Sequence, residues 1–206
     1  GTGAAAVYVM TNSRSLDPKA AAERNREVVR AALTAAKSLG VEVDFVSRSD
    51  STLRGHFPLE PDVIIEELSA AGRPVDATVV VPAFGDAGRI TLNSIHYAGS
   101  AATGYVPVGE TEFARDATFG YRSSDLREWV EEKSGGRIRA SDVAAITLDE
   151  IRAGADAVAA KLLSLAGGHC VVVDIIEESD LRALALGLLK AQDAGKRYVF
   201  RVGPPF

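Results

Sequence analysis

Ala77-Thr78-Val79-Val80-Val81, stopped by Pro82, decides the fold: it is a β-branched run with almost no polar interruption. A strand with one wet face alternates apolar and polar side chains, whereas a strand covered on both faces stays apolar throughout, as in parallel sheets. Parallel neighbours require crossover connections, and helical patterns flank this run on both sides. Upstream, Val63, Ile64 and Leu68 mark a helix that follows Pro58 and Pro61. Before it, Val41 to Arg48 reads as a strand. A longer helix from about Pro18 to Leu39 carries Val29, Ala32, Leu33, Ala36 and Leu39 at helical spacing, with Asp17 as cap, Pro18 in the first turn and Gly40 as stop. Val7-Tyr8-Val9-Met10 reads as the first strand.

Downstream the rhythm breaks between Ala83 and Gly120, where glycines separate short β-prone pieces such as Arg89-Ile90-Thr91-Leu92 and Tyr105-Val106-Pro107-Val108. We expect a hairpin or small subdomain there. Regularity returns with a helix near Asp125 to Lys133, a strand at Val143 to Ile146, and a helix opened by the capping box Thr147-Leu148-Asp149-Glu150. A strand at His169 to Ile175, a helix at Ser179 to Ala191 and a strand at Arg197 to Phe200 complete the chain. The expected fold is α/β: a three-layer, mostly parallel, Rossmann-like sheet with helices on both faces and a small β-rich excursion near 83–120. Residues 1–206 are expected to form one domain.

Composition narrows the function. The 206 residues are 47% hydrophobic and 25% charged, which excludes a disordered chain. Lys and Arg number 23 against 28 Asp and Glu, a net charge of −5 with no long block of either sign, so no nucleic-acid surface is expected. No apolar run approaches the roughly 20 residues that cross a bilayer, and the amino terminus lacks a signal-peptide pattern, so the expected compartment is the cytoplasm. Cys170, the lone cysteine, sits in His169-Cys170-Val171-Val172-Val173 and reads as a core thiol. His56, His96 and His169 lack metal-ligand spacing, so no metal site is expected from this chain. The abrupt ends, at Ala4-Ala5-Ala6 and at Gly203-Pro204-Pro205-Phe206, fit a piece of a longer protein.

Three loops carry polar chemistry. Ser49-Asp50-Ser51-Thr52-Leu53-Arg54-Gly55-His56 follows a strand, where open α/β sheets bind ligands. Arg54 suits a carboxylate bidentately; Asp50, Ser51 and Thr52 suit vicinal hydroxyls; Gly55 lets backbone approach. The alternative is a structural turn in which Asp50 and Ser51 cap the next helix. Val81-Pro82-Ala83-Phe84-Gly85-Asp86-Ala87-Gly88-Arg89, at the end of the Ala77 strand, forms either a pocket wall or a connecting turn with a solvated Arg89. Val108-Gly109-Glu110-Thr111-Glu112-Phe113-Ala114-Arg115-Asp116-Ala117-Thr118 is a shaped loop, or a salt-bridged one through Arg115 and Asp116. The sequence contains no Gly-x-x-x-x-Gly-Lys-Ser/Thr, Gly-x-Gly-x-x-Gly or Gly-x-Ser-x-Gly.

Ser47-Arg48-Ser49-Asp50-Ser51-Thr52-Leu53-Arg54-Gly55-His56 resembles the signature of the four-carbon acid sugar kinase family. The likeness continues in order through Pro82-Ala83-Phe84 with Gly88-Arg89, His96-Tyr97, Val106 to Asp116, Tyr121-Arg122-Ser123-Ser124 and Leu126-Arg127-Glu128-Trp129-Val130. The resemblance implies the amino-terminal, substrate-binding domain of an ATP-dependent kinase acting on a tetronate (threonate or erythronate) or oxo-tetronate. It implies that Asp50, Ser51, Thr52, Arg54 and Gly55 hold the sugar acid, with Arg89, Arg115 and Asp116 as further pocket residues. ATP and magnesium would bind mainly to a separate carboxyl-terminal domain, so neither is expected on this chain alone, which would not transfer phosphate by itself. Two departures stand out: no Asp-Asp-x-Thr-Gly-Ala segment precedes Val7, and Val202-Gly203-Pro204-Pro205 differs from the small-residue stretch expected there. No general base is assigned. The rival readings are a non-catalytic sugar-acid sensor or binding module and, more weakly, a stand-alone α/β enzyme acting on a phosphorylated sugar.

Overall fold

A computed structural model describes residues 5–206. In chain order its main elements are α1 (Pro18–Leu39), β1 (Phe45–Arg48), α2 (Leu59–Ala70), β2 (Ala77–Val81), β3 (Arg89–Leu92), β4 (Ile95–Ser100), β5 (Gly104–Pro107), α3 (Leu126–Lys133), β6 (Ala144–Ile146), α4 (Leu148–Arg152), α5 (Ala155–Leu163), β7 (His169–Val173), α6 (Glu178–Asp193) and β8 (Tyr198–Val202). Five strands form a parallel sheet in the order β1-β8-β2-β7-β6, and β3-β4-β5 form a separate antiparallel sheet.

Every residue of β2 is buried, as the apolar run demands. Its side chains alternate between two cores. Val79 and Val81 pack with Ile151, Val158, Leu162, Leu184 and Leu188 of α4, α5 and α6. Val80 points the other way, towards Leu126, Trp129 and Val130 of α3. β8 repeats the alternation, with Phe200 in the first core and Val199 against Val29 of α1 and Ile64 and Leu68 of α2. The three-layer arrangement with helices on both faces follows from these paired faces. Cys170 is buried in β7, where burial pushes its thiol up to about 12.

Local signals set the boundaries. Asp17 accepts a hydrogen bond from Ala20 N at 2.9 Å, and Gly40 ends α1 in the left-handed region (φ 64°). The Thr147–Glu150 capping box forms both of its bonds. Two expectations need correction. Val7-Tyr8-Val9-Met10 is not a strand: Tyr8 and Met10 are 93% and 92% exposed. A strand needs a paired neighbour, and among the described residues these four pair with no strand of either sheet. For the same reason the Val41–Arg48 strand narrows to Phe45–Arg48.

The excursion is pinned to the parallel sheet. Asn93 and Ser94, both at positive φ (52° and 64°), form the tight turn between β3 and β4. Their backbone N–H groups donate to the buried Asp174 carboxylate at 2.8 Å each, and Leu148 N donates to it at 3.1 Å. Thr91 and Ile175 exchange two further backbone bonds at 2.8 and 3.0 Å. Asp174 therefore joins the small sheet, the end of β7 and the start of α4. Asp174→Ala strands three N–H donors and should lower stability in urea melts by about 2 kcal/mol; an unchanged midpoint would show that solvent replaces the carboxylate. No helix among the described residues is long and apolar enough to cross a membrane.

Candidate functional site

The Asp50–His56 loop leaves the carboxyl end of β1 and is held from all sides. Ser49 N donates to Val202 O at 2.8 Å. The buried His96 donates from Nε2 to Ser51 O at 2.8 Å, while its Nδ1 accepts from the Thr91 hydroxyl at 2.9 Å. Burial, reinforced by the positive charge of Arg89, pulls the His96 pKa down to about 4 against the Ser51 bond, so the ring is neutral at pH 7. Tyr121 donates its hydroxyl to Thr52 O at 2.8 Å, and burial raises its pKa.

Beneath the loop lies an ion pair. Arg201 of β8 donates from Nη1 to Glu60 of α2 at 2.5 Å and to Ser47 Oγ of β1 at 3.0 Å. Arg201 is 3% exposed. Burial lowers its pKa, and the Glu60 charge and hydrogen bond oppose that shift. Glu60 also accepts from Ser13 Oγ and from Asn25 Nδ2 of α1, at 2.5 and 3.4 Å. Gly55 rests directly on this guanidinium: at φ +122°, a Cβ there would stand 2.9 Å from Arg201 Nη2. Next to it, His56 Nε2 faces two carbonyl oxygens, Ser13 O and Leu16 O, at 3.0 Å each.

The loop presents charge on its outer face. Arg54 donates from Nε to Asp50 at 2.7 Å and to Thr52 Oγ1 at 3.1 Å, and Thr52 donates its hydroxyl to Asp50 at 2.5 Å. Arg54 Nη1 lies 3.7 Å from Asp116, and Arg14 Nη1 3.6 Å from Asp50. Burial pushes the Asp50 pKa up, but the bonds from Thr52 and Arg54 outweigh it and hold the carboxyl below its ordinary value. Asp116 is held low by backbone N–H bonds from Phe119 and Thr118.

Asp50, Ser51, Thr52, Arg54 and Gly55 thus stand in one turn, with Asp116 beside Arg54. Asp50 and Ser51 do not cap α2: its cap position is Pro58, and no side chain bonds there. Asp116 pairs with Arg54 rather than Arg115. Arg89 and Arg115 line a neighbouring open cavity of about 570 Å³ under the small sheet. Phe113 contacts both groups, its ring centroid 5.2 Å from Arg54 Cζ and 5.4 Å from Arg89 Cζ. Sequence reasoning gave no role to Arg14, Glu60, His96, Tyr121, Phe113 or Arg201. A signal existed for Arg201, a lone charge inside the apolar strand Tyr198-Val199-Phe200-Arg201-Val202, because a buried charge requires a partner. Among the described residues, no group of three or more His, Cys, Asp and Glu side chains is placed to hold a metal ion.

A family model described as a sugar-binding N-terminal domain matches residues 1–206. A D-erythronate kinase from Heliobacterium modesticaldum is 31% identical over 183 residues, covering 88% of this chain and 37% of that protein. A 3-oxo-tetronate kinase from Methylobacterium radiotolerans is 32% identical over 186 residues, covering 89% of this chain and 40% of that protein. The chain therefore spans about two fifths of the length of these curated relatives. Among solved structures, a Haemophilus influenzae protein shares the fold at TM-score 0.67 and 21% identity, over 93% of this chain and 41% of that one. A domain of unknown function from Bordetella bronchiseptica, solved with bound citrate as a domain-swapped dimer, has TM-score 0.65 and 26% identity over 95% of this chain and 42% of that one.

Proposed function

The chain belongs to the family of sugar-binding N-terminal domains, and from that premise we propose that it is the single substrate-binding domain of an ATP-dependent, cytoplasmic kinase for four-carbon sugar acids. The relatives named as D-erythronate and 3-oxo-tetronate kinases support the substrate class. The observation that carries the reading is the Arg54 guanidinium. Its Nε is committed to Asp50 and Thr52, and among the described residues its Nη2 has no protein partner, which leaves a donor edge for a substrate carboxylate. Asp50 and Asp116 flank that edge as acceptors for substrate hydroxyls with Ser51 beside them, while the buried Thr52 hydroxyl, bonded to both Asp50 and Arg54, holds the two in place. Citrate, held by the Bordetella relative, combines the same two kinds of group.

The chemistry assigned to this chain is binding and orientation. Phosphoryl transfer depends on fixing the acceptor hydroxyl in line with the phosphate, and an anchored carboxylate places the far end of a four-carbon chain. ATP and magnesium are assigned to the remainder of the parent protein, and the general base remains unassigned.

Calorimetric titration with D-erythronate tests the reading. Arg54→Ala should weaken binding about 10- to 100-fold, corresponding to loss of a charge-assisted bond of about 1.5–3 kcal/mol. Arg54→Lys, which keeps the charge and loses the planar fork, should fall between the two. Unchanged affinity in Arg54→Ala would remove the anchor, and phosphate transfer from ATP by the chain alone would overturn the division of labour.

A further inference from the structure

We propose that the cavity lined by Arg89 and Arg115 is a second anion compartment that takes the terminal phosphate of a phosphorylated four-carbon acid, while the carboxylate of the same molecule stays on Arg54. The inference rests on the substrate class proposed above and adds a site to it.

Charge balance separates the two compartments. Around Arg54, two guanidiniums (Arg14 and Arg54) face two carboxylates (Asp50 and Asp116), an arrangement that suits a singly charged carboxylate with hydroxyls to donate. In the cavity, Arg89 and Arg115 face one carboxylate, Glu112, and neither arginine forms an ion pair among the described residues. Arg89 is also short of acceptors. One Nη1 bond goes to Ala87 O, while its buried Nε has no partner among the described residues. A phosphate monoester carries close to two negative charges at pH 7 and three acceptor oxygens, and guanidinium groups match that demand.

Geometry connects the compartments. The Phe113 ring has Arg54 Cζ and Arg89 Cζ each within about one side-chain length of its centroid, at 5.2 and 5.4 Å. In this proposal a four-carbon chain with an anionic group at each end passes over the ring that both guanidiniums contact. The Ser100 and Thr103 hydroxyls, bonded to each other at 2.8 Å, stand on the cavity wall as further polar partners.

The test is titration calorimetry of the chain with erythronate, with its terminal phosphate ester and with inorganic phosphate. The ester should bind the wild type at least about tenfold more tightly than erythronate, as one added charge-assisted contact predicts. The double variant Arg89→Gln/Arg115→Gln should erase that preference, losing about tenfold more affinity for the ester than for erythronate. Inorganic phosphate should compete with the ester and lose its own binding in the double variant. A wild type that binds the ester no more tightly than erythronate, or a double variant that weakens both equally, overturns the proposal. Phosphate binding that depends on Arg89 and Arg115 in a chain that does not bind erythronate would sink the Arg54 reading and leave the cavity site standing. Circular dichroism of the variants, expected to match the wild type, separates lost contacts from lost fold.

Discussion

Arg201→Met lowers the unfolding free energy by about 3–5 kcal/mol, read as a shift of the urea midpoint at constant slope. The variant keeps an apolar side chain of similar length and leaves the Glu60 carboxylate buried with only Ser13 and Asn25 to answer it. An uncompensated buried charge is far costlier than the net worth of the pair it came from. The double variant Arg201→Met/Glu60→Leu removes both charges and should recover most of the loss. The single variant should also weaken sugar-acid binding, because Gly55 loses the group it rests on. A single variant as stable as wild type would mean that Glu60 takes up a proton or reaches water when its partner goes.

Acidification provides the second large effect. Held neutral by burial, His96 has a pKa near 4 in the folded chain, against 6.5 for an unperturbed histidine. Between those values the unfolded chain binds the proton and the folded chain does not, so stability falls as pH drops through this window. The stabilisation is complete above about pH 6.5 and is lost progressively towards pH 4, amounting to about 3 kcal/mol for this one group. Depressed carboxyls such as Asp50 in the polar turn and Asp180 at the start of α6 add losses at lower pH, because the unfolded chain takes up their protons at a higher pH than the folded one does. His96→Gln retains a donor for Ser51 O and removes the titration. Urea melts from pH 7 to pH 4 should then show a shallower slope in the variant, and identical slopes would clear His96 of the effect.

The parallel sheet was legible because β2 announces itself: Thr78-Val79-Val80-Val81 has no polar face to turn outward. α1 was legible to both its ends, since the Asp17 cap and the Gly40 stop are local chemistry. Val7-Tyr8-Val9-Met10 misled, because strand propensity says nothing about whether a neighbour is present. The polar turn at Asp50–Gly55 could be picked out from residue types. What sequence could not supply was its support, since Arg201, Glu60, His96 and Tyr121 reach it from four other elements or loops. Nor could spacing divide the arginines: only the fold places Arg54 with Asp116, Arg89 with Arg115 in the cavity, and the Phe113 ring against both Arg54 and Arg89.

β8, the last strand in the chain, lies between β1 and β2, which do not touch each other. A ribosome releasing this chain therefore exposes β1, α2 and β2 long before the strand that joins them exists. The Arg201–Glu60 pair bridges 141 positions, so the support beneath the Asp50–His56 loop forms only after the late strand inserts. Long-range closure of this kind slows folding and leaves open strand edges in the interval. During synthesis the Asp50–His56 loop should thus be among the last parts of the fold to become ordered, and a nascent chain stopped before Tyr198 should be the most readily cleaved by protease around Asp50.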